Sequence, residues 1–425
     1  MSLRQVMRGG EDRAVISNET LADVYRNLHA NPELSFQEER TAGIVADFLT
    51  QWGFEVTTGV GGTGVIGILR NGEGGTAMLR ADMDALPVAE ETGLPYASTK
   101  TATDETGATV PVMHACGHDM HVTWLLGASS KLAEERDTWS GTLVVAFQQG
   151  EERGGAVRMV DGGLAAIVPK PDVVLGQHIA PMPVGIIGLR EGPAFAASDQ
   201  VTIVMRGRGS HGSRPEASVD PIVMAAAVVM RLQTIASREV SATSEPVVVT
   251  VGKMYGGFKE NIIPDTATLE LNVRTYGEDV RERVLNSIVR IAKAEALASG
   301  ADEEPLIDIS EEAFPVLVND PAASQRTKSA LEASPAFVVD PGPVTGSEDV
   351  GMLADALGAP LVYWIIGGLD PALFDGATSV DAIQARIAEL PANHSPKFAP
   401  VIEPTLTNGI NALVAAAREW LPRDA

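Results

Sequence analysis

The chain has 425 residues, enough for two or three domains at roughly 150 residues each. With 45% apolar and 21% charged residues, it is composed as a globular protein and not as a disordered or fibrous one. Thirty-two basic side chains against 56 acidic ones leave a formal charge of −24, which argues against a nucleic acid or an anionic membrane as partner.

The stretch 18–52 reads as two helices broken near Asn31-Pro32, because proline disfavours a helical conformation in the residue before it. Glycine-bounded apolar runs at 65–69, 77–79, 143–147 and 173–175 read as strands buried on both faces. A helix over about 121–135 separates the second from the third, and the alternation points to an α/β layer. From about Asp199 the pattern becomes one of half-exposed strands, with Val201, Ile203 and Met205 on one face. A helix of about 18 residues is expected after Val219. Strands through Val247, Val249 and Val251 and through Leu269, Leu271 and Val273 follow, then a helix over 278–298 and a strand over 306–309. The order β-α-β-β-α-β is that of a ferredoxin-like unit. Beyond Pro315 helix and strand alternate again, with a strand over 361–366 and a C-terminal amphipathic helix over about 403–420. The expected architecture is one α/β domain built from 1–196 and 312–425, with an α+β unit inserted over 197–311.

The longest apolar run, 222–230, is far short of the roughly 20 residues of a membrane span. Residues 1–6 lack the apolar core of a secretory signal, so a cytoplasmic location is expected. The single cysteine, Cys116, excludes an intrachain disulfide and leaves packing, reactivity or metal binding for that thiol.

Four strands end in polar clusters, where open α/β sheets place ligands: Arg80-Ala-Asp82-Met-Asp84, Gln148-Gln-Gly-Glu151-Glu152, Gly176-Gln-His178 and a glycine pair after 361–366. The densest cluster is His114-Ala-Cys116-Gly-His118-Asp119-Met-His121. Thiolate, imidazole and carboxylate bind zinc and related divalent ions. The plainer reading of each residue is structural: a buried small thiol, capping or core histidines, and a solvated acidic pair. Placed after a buried strand, however, Glu151 and Glu152 share a crevice rim, where one can ligate a cation while its neighbour acts as base. Cys116, His118, Glu152, His178 and His394 supply five donors, one more than a closed tetrahedral site needs. A bridging Cys116 would give two ions three protein ligands each, the arrangement of a two-metal hydrolytic site.

These strings, with Asn393-His-Ser-Pro396 and Arg26-Asn-Leu-His-Ala-Asn-Pro-Glu33, resemble the M20 metallopeptidase family, and specifically its amidohydrolase branch of hippurate, N-acyl-amino-acid and auxin-conjugate hydrolases. The resemblance runs over nearly the whole chain. It implies a di-metal catalytic domain and an inserted lid that commonly dimerises. It implies that Cys116, His118 and His178 hold one ion and Cys116, Glu152 and His394 the other, zinc or manganese foremost, with cobalt or nickel admissible. Glu151 would be the general base and Asp84 would orient His118. His211, in Gly209-Ser-His211-Gly, would stabilise the oxyanion, while Asn261 and Arg274 would bind substrate. One departure stands out: His211-Gly-Ser-Arg214-Pro-Glu216 occupies a stretch that often reads His-Ala-Ala-x-Pro-His, so Glu216 replaces a second imidazole.

The implied reaction is amide hydrolysis of a small N-acyl amino acid, releasing a carboxylic acid and an amino acid. A dipeptidase or aminoacylase specificity is the nearest alternative. A Cys116 nucleophile in acyl transfer, activated by His114 or His118, is a rival chemistry, and a metal-dependent binding protein is a non-enzymatic one.

Overall fold

Ser17 opens the first helix by accepting a hydrogen bond from Thr20 N, and the helix α1 (Asn18–His29) stops before Asn31-Pro32. Leu21, Val24, Tyr25 and Leu28 recur at three- and four-residue spacing and face the core. The computed structural model describes residues 16–241, 243–310, 313–333 and 336–423; the reading of 1–6 and the 311/312 border lie outside them. After α2 (Glu39–Gln51) come β1 (Glu55–Val60), β2 (Gly64–Asn71), β3 (Thr76–Asp82), α3 (His118–Glu134), β4 (Gly141–Gln148), α4 (Gly155–Asp161), β5 (Val173–Pro183) and β6 (Ile186–Gly188).

A second segment adds β7 (Ala197–Arg206), α5 (Pro221–Thr234), β8 (Val248–Gly256), β9 (Thr266–Thr275), α6 (Glu278–Ala298) and β10 (Leu306–Ile309). The chain closes with α7 (Pro321–Glu332), β11 (Phe337–Val339), α8 (Val350–Leu357), β12 (Leu361–Leu369) and α9 (Thr405–Trp420).

The chain divides into two units. One runs to Gly192 and resumes over Asn319–Gly342 and from Asp349; the other is Pro193–Val318 with Pro343–Glu348. The first unit is built on an eight-stranded sheet in the order β1-β2-β4-β3-β5-β12-β6-β11. Its central strands β4, β3, β5 and β12 run parallel, whereas β1 and β2 form an antiparallel edge. The mixed α/β class expected from the sequence is thus present. Strand β1 escaped the sequence reading because most of its residues are exposed and it contains no apolar run of its own. Trp124, Trp139 and Trp364 are fully buried in the helix layers and sheet of this unit.

Two strands outrun the sequence reading. β5 continues past Leu175 through His178 to Pro183 because β12 pairs with it in parallel along that length, Ile365 opposite His178. β12 likewise passes through the glycine pair expected to end it; a Cβ on Gly367 would stand 2.0 Å from Pro183 O, so only glycine lets the two backbones approach there.

The main sheet of the second unit has four strands, all antiparallel, in the order β8-β9-β7-β10. This is the second, third, first and fourth strand of the β-α-β-β-α-β sequence, the ferredoxin-like arrangement. Val201, Ile203 and Met205 pack with Met224, Val228, Ile288 and Ile291 of the two helices. Asp220 caps α5 by accepting from Ile222 N and Val223 N, with Pro221 in the first turn. The helix expected to span about 18 residues is 14 long and ends in a π turn over Ile235–Glu239. The short return Pro343–Glu348 joins this unit because Val344 O accepts from Ala196 N and from the Tyr276 hydroxyl.

Candidate metal centre

In the first unit the parallel register places Asp82 of β3 opposite Gln148 of β4, and Arg80 opposite Gly176 of β5. The carboxyl ends of β3 and β4 and the part of β5 just past its last pairing with β3 therefore deliver Asp84, Glu151 with Glu152, and His178 to one rim of the sheet. Gly117, left-handed at φ 90°, turns the chain into α3 and brings Cys116 and His118 to the same rim. His394 arrives from a distant loop that is stitched in place. Asn393 Nδ2 donates to Cys116 O (2.8 Å) and Ile179 O (3.2 Å), and His394 N donates to Ala115 O (2.8 Å). His394 itself sits at φ 70°, a conformation non-glycine residues rarely adopt unless the surroundings impose it.

The donor atoms of Cys116, His118 and His178 lie within 4.8 Å of one another, and so do those of Cys116, Glu152 and His394. The two groups share the thiol. Cys116 Sγ is 3.4 Å from His178 Nε2, and His394 Nε2 is 3.1 Å from Glu152 Oε1. All five candidate donors are thus brought together although they are remote in sequence.

The hydrogen bonds also fit an ion. His118 Nδ1 donates to Asp84 O (3.0 Å) and lies 3.2 Å from Asp84 Oδ1, which turns Nε2 toward the cluster; that atom is buried and has no hydrogen-bond partner. His178 Nδ1 donates to Ile179 O, and its Nε2 faces Cys116. Burial and the neighbouring His121 hold the His178 pKa well below 6.5, the neutral form a ligand needs. Around His118, burial opposes a positive charge, but Asp82, Asp84 and Glu152 outweigh it and raise its pKa to about 10. A site that draws a proton this strongly is one where a cation would be stabilised in its place. The Cys116 thiol, by contrast, is pushed well above its usual range by burial and by Glu152, Glu151 and Asp82. A nucleophilic cysteine requires the opposite shift, so the acyl-transfer chemistry of Cys116 finds no activation here.

Asp84 links base and ligands. Its carboxylate accepts from Glu151 N (3.0 Å), Glu152 N (3.2 Å) and Ser35 Oγ (2.7 Å) besides facing His118. Burial works against its charge, yet the His118 and Ser35 hydrogen bonds keep its pKa below the usual range. Glu151 is nearly buried, with Oε2 3.8 Å from His118 Nε2.

Sequence reasoning missed the layer beneath. Asp82 lies 3.7 Å from His118 Nε2, accepts from Arg80 Nη1 (2.7 Å) and holds His121 Nδ1 at 2.6 Å. His121 Nε2 accepts from Ile179 N, so both its ring nitrogens are engaged and it orients β5 instead of offering a lone pair. Arg80 reaches on to Gln148 and Asp349. The signal was present: Arg80 and Asp82 stand two residues apart on β3 and so point to the same side.

In the second unit, His211 pairs with Ile262, and Gly212 N donates to Asn261 O (2.8 Å), so these two candidate residues are neighbours. His211 Nδ1 accepts from Ser213 N (3.1 Å), which leaves the proton on Nε2. Arg274, on β9, donates to Asn272 Oδ1 (2.7 Å) and Ser347 Oγ (2.5 Å). Glu216 is exposed and 3.6 Å from Arg214.

A second buried network flanks the cluster. His29 Nδ1 meets Asp119 at 2.7 Å and Nε2 meets Glu90 at 3.0 Å, with Tyr25, Tyr96 and His114 around them. Burial opposes its charge, but the two carboxylates raise the His29 pKa to about 10. Replacing His29 with Leu strands two buried carboxylates and is expected to cost about 3–5 kcal/mol in urea unfolding near neutral pH. Because the folded pKa is raised, this contribution is complete below about pH 6.5 and fades as pH rises through about 10. The stability gap between wild type and H29L should therefore narrow above pH 10; a gap independent of pH would contradict the assignment.

The sequence profile described as peptidase family M20/M25/M40 matches residues 78–418. Among curated proteins, the chain is 38% identical over 339 residues to hippurate hydrolase of Campylobacter jejuni, covering 78% of this chain and 84% of that one. It is 36% identical over 353 residues to thermostable carboxypeptidase 2 of Saccharolobus solfataricus, covering 82% and 85%. Among solved structures, the Bacillus subtilis YXEP protein, described as a dinuclear metal binding peptidase, superposes with a TM-score of 0.72 at 28% identity, covering 94% and 97% of the two chains. With four-fifths of its length inside the family profile, and relatives 36% and 38% identical over 82% and 78% of it, the chain belongs to peptidase family M20.

Proposed function

We propose that this protein hydrolyses the amide bond of small N-acyl amino acids at a pair of divalent cations. The observation that carries the reading is one thiol, Cys116, shared by two three-donor groups, with an additional carboxylate, Glu151, beside both. Cys116, His118 and His178 would hold one ion and Cys116, Glu152 and His394 the other; thiolate and imidazole donors suit zinc, and the carboxylate admits manganese. When bound, such ions supply an acidified water and a sink for negative charge developing on the acyl oxygen.

The chain's own residues do the rest. Glu151 takes the proton of the attacking water and returns it to the leaving amine. Asp84 keeps that base and two ligand-bearing segments in register by holding the N–H groups of Glu151 and Glu152 and the ring of His118. His211, protonated on Nε2, donates to the oxyanion, and Asn261 and Arg274 take the substrate carboxylate. In this reading the first unit is catalytic and the second is a lid through which two copies associate. The exposed Met254, Tyr255 and Phe258 on and beside its edge strand β8 support such a contact.

The relative named hippurate hydrolase supports an N-acylated substrate; the relative named carboxypeptidase supports a peptide instead. A panel of N-acetyl, N-benzoyl and N-indoleacetyl amino acids, run beside unacylated dipeptides with amino-acid release as readout, separates the two. We expect kcat/KM for the best N-acyl substrate to exceed that for every dipeptide by at least about tenfold, or 1.4 kcal/mol. A dipeptide preferred over all N-acyl compounds would replace this reading with the peptidase one.

A further inference from the structure

Three consecutive backbone N–H groups, those of Gly150, Glu151 and Glu152, each end on a buried carboxylate. Asp84 takes the latter two. The first is taken by Glu38, which has no part in the chemistry described above: Gly150 N donates to Glu38 Oε1 at 2.8 Å. Glu38 lies at the start of α2, is 0% exposed, and has both oxygens engaged. Oε1 also accepts from Phe36 N (2.9 Å), and Oε2 accepts from Thr63 Oγ1 (2.6 Å).

The turn at Gly150 is confined from the same direction. Gly150 is left-handed at φ 58°, and a Cβ there would stand 2.3 Å from Phe36 Cε1. Phe36 is itself left-handed at φ 67°, the only such non-glycine residue besides His394 among those described. Arg158 stacks on that ring, its guanidinium carbon 3.5 Å from the ring centre. A strained residue, a close-packed ring and a buried acid thus converge on one backbone amide. Burial and the charge of Asp84 push the Glu38 carboxyl up to about 7, so an ionisable group is retained where it costs stability.

We propose that Glu38 is a positioning residue that fixes, through the Gly150 amide, the turn from which Glu151 and Glu152 reach the metal centre. This rests on the proposed function, in which Glu152 is a ligand of one ion and Glu151 the base. Without the acceptor, a buried N–H loses its partner and the turn relaxes. His118 and His178 stand on α3 and β5 and keep their places. The consequence is selective: the ion held by Glu152 and His394 weakens, and the one held by His118 and His178 does not.

The test is a calorimetric titration of metal-stripped protein with zinc, resolving two steps, together with kcat at saturating zinc. Two variants remove the acceptor differently: Glu38→Met fills the volume without an acceptor, and Glu38→Asp is too short to reach. Glu38→Gln keeps both volume and acceptor. We expect the Met and Asp variants to weaken one of the two steps at least about tenfold, to leave the other within about twofold, and to lower kcat at least about tenfold. Glu38→Gln should restore both quantities. A purely structural Glu38 would lower the melting temperature of the variants while leaving both steps and kcat at the wild-type values, and that result overturns the proposal. So does a Gln variant as impaired as the Asp variant, since an acceptor of the right reach is then not what holds the turn; this outcome can be read even if the Met variant does not fold. Wild-type protein that takes up fewer than two ions, or hydrolyses no amide, refutes the proposed function instead.

Discussion

Glu151→Gln is expected to lower kcat by about 10²- to 10⁴-fold, the range removed with a general acid–base group, while two ions remain bound. The substitution is nearly isosteric, and the Glu151 backbone N–H that Asp84 accepts is unchanged by it, so the turn carrying Glu152 keeps its anchor. What disappears is a carboxylate 3.8 Å from His118 Nε2, inside a rim already crowded by Asp82, Asp84 and Glu152. KM should change little, because in this reading Glu151 touches the water and the leaving amine and not the parts of the substrate that set binding. Equilibrium binding of a non-hydrolysable N-acyl analogue, measured beside turnover, makes the test decisive. A binding protein would show unchanged ligand affinity in E151Q and no turnover in the wild type to lose. An enzyme shows unchanged affinity and collapsed turnover. If E151Q retained more than about a tenth of wild-type kcat, the base would have to be sought elsewhere.

The five candidate metal-binding residues were legible in the sequence because each stands in a compact local context: a strand end, a tight turn, or a short string such as His114-Ala-Cys116-Gly-His118. Strand ends in open α/β sheets are where ligands gather, so position alone raised Glu151 and Glu152 above an ordinary solvated pair. The fold was legible where periodicity was strong, as along α6 and β7, and illegible where pairing decided the outcome. Nothing in Gly176-Gln-His178 announces that the strand runs on to Pro183; the partner strand lies far along the chain. Networks spanning many residues were equally hidden. Glu38 meets Gly150, His29 meets Asp119, and Arg80 meets Asp349, each across a separation that no local pattern encodes. His394 was nominated from its Asn-His-Ser-Pro string, but its left-handed backbone and the Asn393 bonds that impose it appear only in three dimensions.

Removing divalent cations with a chelator is expected to abolish hydrolysis, with recovery on adding zinc or manganese, and Cys116→Ser should lower activity more than about 100-fold, exceeding the 10- to 100-fold typical when only an outer partner of a ligand is lost. The reason lies in the sharing: one sulfur belongs to both donor groups, so its loss weakens two sites at once, and a serine hydroxyl keeps its proton near neutral pH. Protonation gives the prediction its sharpest form. Burial and three carboxylates hold the Cys116 thiol protonated, and Asp82, Asp84 and Glu152 hold His118 protonated up to about pH 10 against the opposing effect of burial. Each must shed a proton to become a ligand, so loading the centre near neutral pH should release about two protons, measurable with an indicator dye in weak buffer, and apparent affinity should climb with pH. In Cys116→Ser the release should fall to about one. A thiol nucleophile behaves differently on every count: activity survives chelation, and adding metal releases no proton from the sulfur. Full activity in metal-free protein would therefore end the two-cation reading and reopen the chemistry of the thiol, despite an environment that holds that thiol in its unreactive form.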